Sequence, residues 1–186
     1  MKIGLSGVAG SFSEQAALTY ATEAGDENPE LQYLTQASEV LDAVETGTID
    51  VGVFAIENSN GGVVTEYLPA IAEHRFKVDK IFEIAVDHML LGVKGSHASN
   101  IIKIVSQRQA LRQCRMYLTR QWPTIEVGEY VDTATAAKDL AEGTLPPTTA
   151  VVASARAAEV YGLDILDEKI QDLKFNYTVF IAAKKL

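Results

Sequence analysis

Two short polar segments contain residue types that can hold the oxygens of a small anion. The first, residues 7–14, places two glycines and the hydroxyls of Ser11 and Ser13 between a strand-like run and a helix-like run. Backbone N–H groups at the beginning of a helix attract anions. A turn followed by a helix cap explains the same residues equally well. The glycine spacing differs from the dinucleotide fingerprint G-x-G-x-x-G.

The second segment, residues 57–62, is a dense polar cluster directly after the apolar run 53–56. Asn58 and Ser59 supply both donors and acceptors, and the glycine pair that follows lets the backbone approach a ligand closely. A plain Asn-Gly turn is the alternative interpretation. Ligands of α/β folds bind at the carboxyl ends of strands, so the position of this cluster favours binding.

The sequence lacks the residue patterns of other common kinds of functional site. His74, His88 and His97 are scattered without the spacing of metal ligands, and the nucleophile motif G-x-S-x-G is absent. Cys114 is the only cysteine and lies in a helix-like stretch, where a small buried side chain is expected. We interpret His88, inside an apolar run, as a core or hinge histidine. The sequence therefore predicts a pocket without a metal site, and these residues do not name its reaction.

Apolar, β-branched runs alternate with helix-period segments, which is typical of an α/β fold with a mostly parallel sheet. The predicted strands are 2–6, 51–56, a long run around 80–93, 101–105, 125–130, 150–153 and 179–183. The predicted helices are 14–24, 36–46, 64–74, 109–121, 135–142 and 155–161.

Cap residues support several of these helices. We expect Ser106 to cap the helix 109–121, Asp132 or Thr133 to cap the next helix, and Ser154 to cap 155–161, while Gly47 and Gly162 end helices. Two strand–helix sets predict two lobes within residues 1–186. Lobe 1 would comprise about 1–76 plus 174–186, and lobe 2 about 77–173.

Charge and length narrow the classes of partner. The 186 residues carry a formal net charge of −9 with a sequence pI near 4.8, which disfavours nucleic acid and anionic membrane surfaces. An anionic substrate would therefore need a locally built pocket. The amino terminus does not have the pattern of a signal peptide, and no apolar run has the length of a membrane span, so a cytoplasmic location is expected.

Taken in order, the polar segments resemble prephenate dehydratase along the whole chain. Residues 7–13 are similar to that family's Gly-Pro-x-Gly-Thr-Phe-Ser motif, with Val8 for Pro and Ser11 for Thr. Residues 55–62 resemble Pro-Ile-Glu-Asn-Ser-x-x-Gly, and 106–114 resemble Ser-His-Pro-Gln-Ala-Leu-x-Gln-Cys without the His-Pro pair. Residues 157–163 and 170–172 match a late helix and loop. The family's closing Thr-Arg-Phe is here Thr178-Val179-Phe180.

The resemblance implies two α/β lobes around a substrate cleft, similar to type II periplasmic binding proteins. It implies conversion of prephenate, a small carboxylate, to phenylpyruvate, water and carbon dioxide without a cofactor. Thr178 would donate or relay a hydrogen bond to the departing hydroxyl, with a water or another donor as the proton source. Asn58, Ser59 and Ser11 would hold carboxylate or carbonyl oxygens of the substrate. Phe180 would pack against the substrate ring. The other motif residues expected near substrate are Phe12, Ser13, Glu57, Gln109, Ala110 and Leu111.

Family members commonly carry a regulatory ACT domain after the catalytic part, and residues 181–186 leave no room for one in this sequence. We therefore expect a homodimer through the catalytic lobes and activity that is insensitive to phenylalanine.

Val179 stands where the family has arginine, so one cation is absent from the closing motif. If the motif is a loop lining the cleft, Val179→Arg should restore a contact to substrate, and we expect this outcome. If the strand has already begun, Val179 points away from Thr178 and Phe180. Three other functions stay open: a decarboxylase of a prephenate-like acid that does not aromatise it, a non-catalytic ligand sensor, and an ester or lactone hydrolase.

Overall fold

The computed structural model describes residues 1–186, which form two compact units. Unit 1 consists of Met1–Val8, Phe12–Ala85 and Asn176–Leu186, and unit 2 of Ala9–Ser11 and Val86–Phe175. The strand Lys77–Ala85 pairs along its length with the terminal strand Tyr177–Lys184 and therefore belongs to unit 1, whereas the sequence predicts a boundary near residue 76. Both units combine a sheet with helices, so the chain is an α/β protein.

Unit 1 contains one mixed sheet. Its strands are β1 (Lys2–Ser6), β2 (Glu30–Leu34), β3 (Val51–Asn58), β4 (Gly62–Val63), β5 (Lys77–Ala85) and β11 (Tyr177–Lys184). Its helices are α1 (Phe12–Glu23), α2 (Ala37–Thr46) and α3 (Leu68–Glu73). The strand order is β2-β1-β3-β11-β5, with β4 added to the end of β3. Strand β1 is parallel to β2 and β3, whereas β11 is antiparallel to β3 and β5.

The sheet of unit 1 buries apolar side chains on both faces. On one face Leu5, Val53 and Phe180 pack with Ala17 of α1. On the other face Val40 of α2 packs in the same cluster as Phe54 and Ile181. Complete burial of a large apolar side chain stabilises the fold by roughly 1.5–3 kcal/mol, so both layers hold β3 and β11 at the centre of the sheet.

Unit 2 contains the second sheet. Its strands are β6 (Met89–Gly92), β7 (Lys103–Gln107), β8 (Glu126–Tyr130), β9 (Thr149–Ala153) and β10 (Asp164–Asp167). Its helices are α4 (Arg108–Gln113), α5 (Arg115–Gln121), α6 (Thr133–Ala141) and α7 (Ala155–Tyr161). The order is β10-β6-β9-β7-β8, in which β7 is parallel to β8 and β9 and β6 is antiparallel to β9 and β10.

Local cap rules predicted several helix ends correctly. Asp132 accepts from the Thr135 N–H at 2.8 Å at the beginning of α6, and Ser154 accepts from the Ala157 N–H at 2.9 Å at the beginning of α7. Gly47 and Gly162 end α2 and α7 with φ angles of 77° and 66°, as predicted. The prediction for Ser106 was wrong. Its hydroxyl donates to the Val152 carbonyl at 2.6 Å inside the sheet and caps no helix.

Three predicted elements differ from the structure. The run 80–93 is divided between β5 of one sheet and β6 of the other. The helix 109–121 is interrupted at Cys114, after which Asp172 accepts from the Met116 and Tyr117 N–H groups at 2.9 Å each and fixes the beginning of α5. The helix 64–74 is a turn of 3₁₀ helix at Thr65–Tyr67 followed by α3.

The short edge strands β2 and β10 were not predicted, because their alternation of apolar and polar residues is brief. No helix in the chain is both long and apolar enough to cross a membrane.

Candidate functional site

A β-bulge near the carboxyl end of β3 determines which side chains meet there. Ala55 lies opposite Phe180 and Glu57 lies opposite Val179, so Ile56 is an extra residue on β3. One extra residue reverses the alternation of side chains along a strand. Asn58 is consequently placed on the same face as Thr178, its register partner.

The side chain of Asn58 connects β3 to the beginning of β11. Its Nδ2 lies 3.0 Å from Asn176 Oδ1, 3.1 Å from the Tyr177 carbonyl oxygen and 2.9 Å from Thr178 Oγ1. The two amide hydrogens are thus shared among three acceptors. Its Oδ1 accepts from the Asn60 N–H at 3.0 Å, which orients the amide.

The contact with Asn58 leaves the Thr178 hydroxyl able to act as a hydrogen-bond donor. Its oxygen accepts from Asn58, so its own O–H is directed elsewhere and can donate to a ligand. The residue is 9% exposed, which places the hydroxyl in an environment where a hydrogen bond is stronger than in bulk water.

Ser59 and Asn176 complete the cluster. The Ser59 N–H donates to the Tyr177 carbonyl at 2.9 Å, and the Tyr177 N–H donates to Ser59 Oγ at 3.0 Å. Asn176 is 2% exposed and was missed by the sequence analysis, although it lies two residues before Thr178. We call Asn58, Ser59, Asn176 and Thr178 the amide–hydroxyl cluster. The structure thus brings together the three residues predicted as catalytic.

Glu57 and Val179 lie on the opposite face of the sheet from this cluster. Val179 is within β11, with Glu57 as its register partner on β3 and Glu83 as its partner on β5. The predicted loop conformation of the closing motif was therefore wrong, because the strand has already begun at Tyr177. Glu57 is exposed on the face opposite Asn58 and does not line the amide–hydroxyl cluster, so its role toward substrate stays a prediction.

Phe180 is part of the core of unit 1. It is 1% exposed, belongs to the apolar cluster around Leu5 and Val53, and stacks against Phe82 with ring centroids 6.1 Å apart. Packing accounts fully for this ring, so we correct the prediction that it lines the substrate ring.

The glycine-rich segment 7–14 is divided between the two units. Gly10 has a φ of 79°, and its carbonyl accepts from Ser154 Oγ at 2.6 Å within unit 2. The Ala9 carbonyl accepts from the Tyr161 hydroxyl at 2.8 Å. Ser11 follows in unit 2, whereas Phe12 and Ser13 begin α1 in unit 1, where Phe12 packs against the core. The roles of Ser11 and Ser13 toward a ligand stay predictions.

The segment predicted from the Gln-Ala-Leu motif lies on α4. Ala110 is 2% exposed and packs with Cys114 and Leu118, so its predicted contact with substrate is corrected to a core contact. Leu111 is half-buried beside a surface groove of unit 2, and Gln109 is half-buried on the same helix.

The histidines lie in different environments. His88 is 3% exposed, its Nε2 is 2.7 Å from Gln113 Oε1, and burial lowers the pKa of its ring. His74 lies 2.9 Å from Asp42 Oδ1, and the hydrogen bond to that carboxylate raises its pKa. No group of three or more His, Cys, Asp or Glu side chains in residues 1–186 is arranged to hold a metal ion.

Comparison with known proteins identifies the family. The family model described as prephenate dehydratase matches residues 3–185. The chain belongs to the prephenate dehydratase family. A plant relative named arogenate dehydratase/prephenate dehydratase 6, chloroplastic, from Arabidopsis thaliana, is 34% identical over 183 residues. That match covers 97% of this chain and 42% of the relative, so the chain spans less than half the length of this family member.

Two solved structures are similar over the whole chain. Prephenate dehydratase from Arthrobacter aurescens, in complex with L-Phe, has a TM-score of 0.89 at 28% identity, covering 100% of this chain and 60% of that one. A protein described as GqqA, a novel type of quorum quenching acylase, has a TM-score of 0.86 at 26% identity, covering 100% of this chain and 64% of that one. The fold of the prephenate dehydratase family is thus shared by proteins with different described activities.

Proposed function

We propose that this chain is a lyase that converts prephenate to phenylpyruvate. The ring C–O bond and the C–C bond to the ring carboxylate break, and the electron pair of the latter completes the aromatic ring. The hydroxyl leaves with one added proton as water, and the carboxylate leaves as carbon dioxide. Because aromatisation drives the reaction, the protein needs mainly to orient the ring and assist the departing oxygen.

The amide–hydroxyl cluster is the observation that carries this proposal. Thr178 would donate to the departing hydroxyl while the Asn58 amide, which donates to Thr178, keeps that hydroxyl oriented. A threonine hydroxyl is too weak an acid to release its proton unaided, so Thr178 would relay a proton from solvent or another donor to the departing oxygen. Ser59 would hold a substrate oxygen at the edge of the cluster, and Asn58, whose amide hydrogens are shared among three acceptors, would act through Thr178.

The relatives' names define the nearest alternative substrate. Arogenate differs from prephenate by an amino group in place of the side-chain keto group, and the same loss of water and carbon dioxide would give phenylalanine. The amide–hydroxyl cluster would act on the ring hydroxyl, which both compounds share. Testing the two substrates side by side decides between them.

The cluster gives less support to hydrolysis. This class of activity stays open from the sequence, and it is the class to which an acylase belongs. A nucleophilic hydroxyl needs a neighbouring base that takes up its proton. The neighbour of the Thr178 hydroxyl is the Nδ2 of an amide, which donates and cannot accept a proton. The geometry therefore favours a hydroxyl that donates over one that attacks.

The experiment is to incubate the purified chain with prephenate at neutral pH and follow phenylpyruvate and carbon dioxide together, with prephenate alone as the control. Release of both in equal amounts supports the dehydratase. Carbon dioxide without phenylpyruvate identifies a non-aromatising decarboxylase, and saturable binding without turnover identifies a ligand sensor. Either of these results contradicts the proposal.

Two finer expectations, a homodimer and a cytoplasmic location, stay predictions. Light scattering on the purified protein and fractionation of the source cells test them directly.

A further inference from the structure

A groove of about 480 Å³ lies in unit 2 between the α4–α5 segment and the edge strand β8. Its rim carries three arginines, and its floor is mainly apolar. The side chains that matter below are Arg108, Arg112, Arg115, Leu111, Trp122 and Ile125. The groove contains none of the residues of the amide–hydroxyl cluster.

The charge of the groove is opposite to that of the protein. Three arginines and one glutamate, Glu129, line it, giving a local charge of +2 (three minus one) in a chain whose formal net charge is −9. Glu129 Oε1 lies 3.6 Å from Arg108 Nε. Arg112 and Arg115 form no ion pair within residues 1–186. These two guanidinium groups can therefore bind an added anion without breaking an existing pair.

The floor of the groove can hold an apolar ring. Leu111, Trp122 and Ile125 are half-buried and pack against the core that contains Leu118. The Trp122 Nε1 lies 3.5 Å from the Tyr117 hydroxyl, which in turn donates to Asp167 at 2.6 Å. The indole is thus held by both packing and polar contacts, with part of its surface still exposed.

The interruption at Cys114 divides two of the cations between two helices. Cys114 is fully buried, and Asp172 fixes the first turn of α5 through the Met116 and Tyr117 N–H groups. Arg112 is therefore contributed by α4 and Arg115 by α5, and both line the same groove.

We propose that this groove is a binding site for a small aryl carboxylate. The carboxylate would be bound by the guanidinium forks of Arg112 and Arg115, which match its two oxygens. The ring would lie on Trp122 and Leu111. A volume of about 480 Å³ lies within the range of small-ligand pockets, roughly 300–1,000 Å³. The proposal is independent of the reaction proposed above.

The single tryptophan makes the test specific. Trp122 is the only Trp of the chain, so its fluorescence reports on this groove alone. We would titrate the full chain with 3-phenylpropionate, and in parallel with the neutral 3-phenylpropanamide, while exciting tryptophan selectively. The expected result is a saturable change with the carboxylate and an affinity at least about tenfold weaker for the amide, which lacks the charge-assisted bonds.

Variants separate the groove from general surface charge. Arg112→Ala/Arg115→Ala should weaken 3-phenylpropionate binding by about tenfold or more. Arg120→Ala is the matched control, because Arg120 lies on α5 but does not line this groove. It should bind like the wild type. Circular dichroism would verify that each variant is folded. No saturable change in the wild type, equal binding of acid and amide, or equal losses in both variants would overturn the proposal.

Discussion

Asn58 and Thr178 are register partners on β3 and β11, and the Asn58 Nδ2 donates to the Thr178 Oγ1 across 2.9 Å. This contact exists because the bulge at Ile56 reverses the alternation of β3 before Asn58 is reached. A regular strand would turn Asn58 to the opposite face and leave the Thr178 hydroxyl without this neighbour. The bulge thus places the two residues that the proposed mechanism needs.

Asn58→Ala should affect both activity and stability. We expect kcat/KM for prephenate to fall roughly tenfold to a thousandfold, the range for losing hydrogen bonds that strengthen in the transition state. Because Nδ2 also serves Asn176 and the Tyr177 carbonyl, the free energy of unfolding should fall by about 1–3 kcal/mol. Steady-state kinetics and denaturant unfolding measure the two effects. Asn100→Ala, on the surface of unit 2, is the control and should change neither; wild-type kcat/KM in folded Asn58→Ala would remove Asn58 from the site.

Val179→Arg should stabilise the protein slightly without tightening substrate binding. The new cation would lie between its register partners Glu57 and Glu83, both exposed, and exposed pairs contribute about 0.2–1 kcal/mol each. The gain in melting temperature should disappear at high salt. Val179→Gln, which has no charge, is the control. A tenfold or greater tightening of prephenate binding by the arginine alone would show that this position does face the substrate.

The difference between these expectations and those from the sequence has a physical cause. The types of residue in the site could be predicted from the sequence, because Asn58, Ser59 and Thr178 lie in recognisable motifs. The caps at Asp132 and Ser154 could be predicted too, because they depend on neighbours within three residues. The face of the sheet on which each residue lies could not be predicted, because it depends on the bulge at Ile56. The bulge is visible only in the pairing of β3 with β11 and not in the local sequence.

Long-range contacts explain the other errors. The α4–α5 interruption depends on Asp172, more than fifty residues beyond Met116 in the chain. The division of the run 80–93 depends on which sheet each half joins. Phe180 has the same aromatic character in a core as in a ligand pocket, so only its contact with Phe82 and its burial assign it to the core.

His88 should make stability depend on pH. Its pKa is lowered by burial in the folded protein, so the unfolded chain binds the proton more readily. The free energy of unfolding should therefore fall as the pH decreases below about 6.5, with a limiting slope near 1.4 kcal/mol per pH unit for one proton. Denaturant unfolding between about pH 7.5 and pH 5 measures the effect. This range extends about one unit or more on each side of the ordinary histidine pKa of about 6.5.

The comparison for this prediction is between variants. His88→Gln should reduce the loss of stability at low pH. His74→Gln is the control with the opposite sign, because the Asp42 contact raises the pKa of His74 and its stabilising contribution is lost as the pH rises. An identical pH dependence in the wild type and His88→Gln would show that His88 does not titrate with unfolding.

Gly10→Ala should destabilise the protein far more than Gly25→Ala. Both glycines have nearly the same left-handed φ, 79° and 78°, which costs an alanine about 1 kcal/mol. A methyl group at Gly10 would lie 2.9 Å from the Ala157 Cα, whereas nothing lies within 4 Å at Gly25. The backbone of α7 would have to shift, so we expect an additional loss of roughly 1–3 kcal/mol at Gly10, measured by thermal unfolding. Equal melting temperatures would mean that the glycine-rich segment is not held against α7.

The central claim is that the Thr178 hydroxyl assists the departure of the ring hydroxyl of prephenate, and the most direct measurement is kcat for phenylpyruvate formation in the wild type, Thr178→Val and Thr178→Ser. We predict that the wild type turns over prephenate, that Thr178→Val, which keeps the shape but removes the donor, loses roughly a hundredfold to a thousandfold in kcat, and that Thr178→Ser recovers most of the loss. A folded Thr178→Val protein with the wild-type kcat, or a wild type that forms no phenylpyruvate, would contradict the claim.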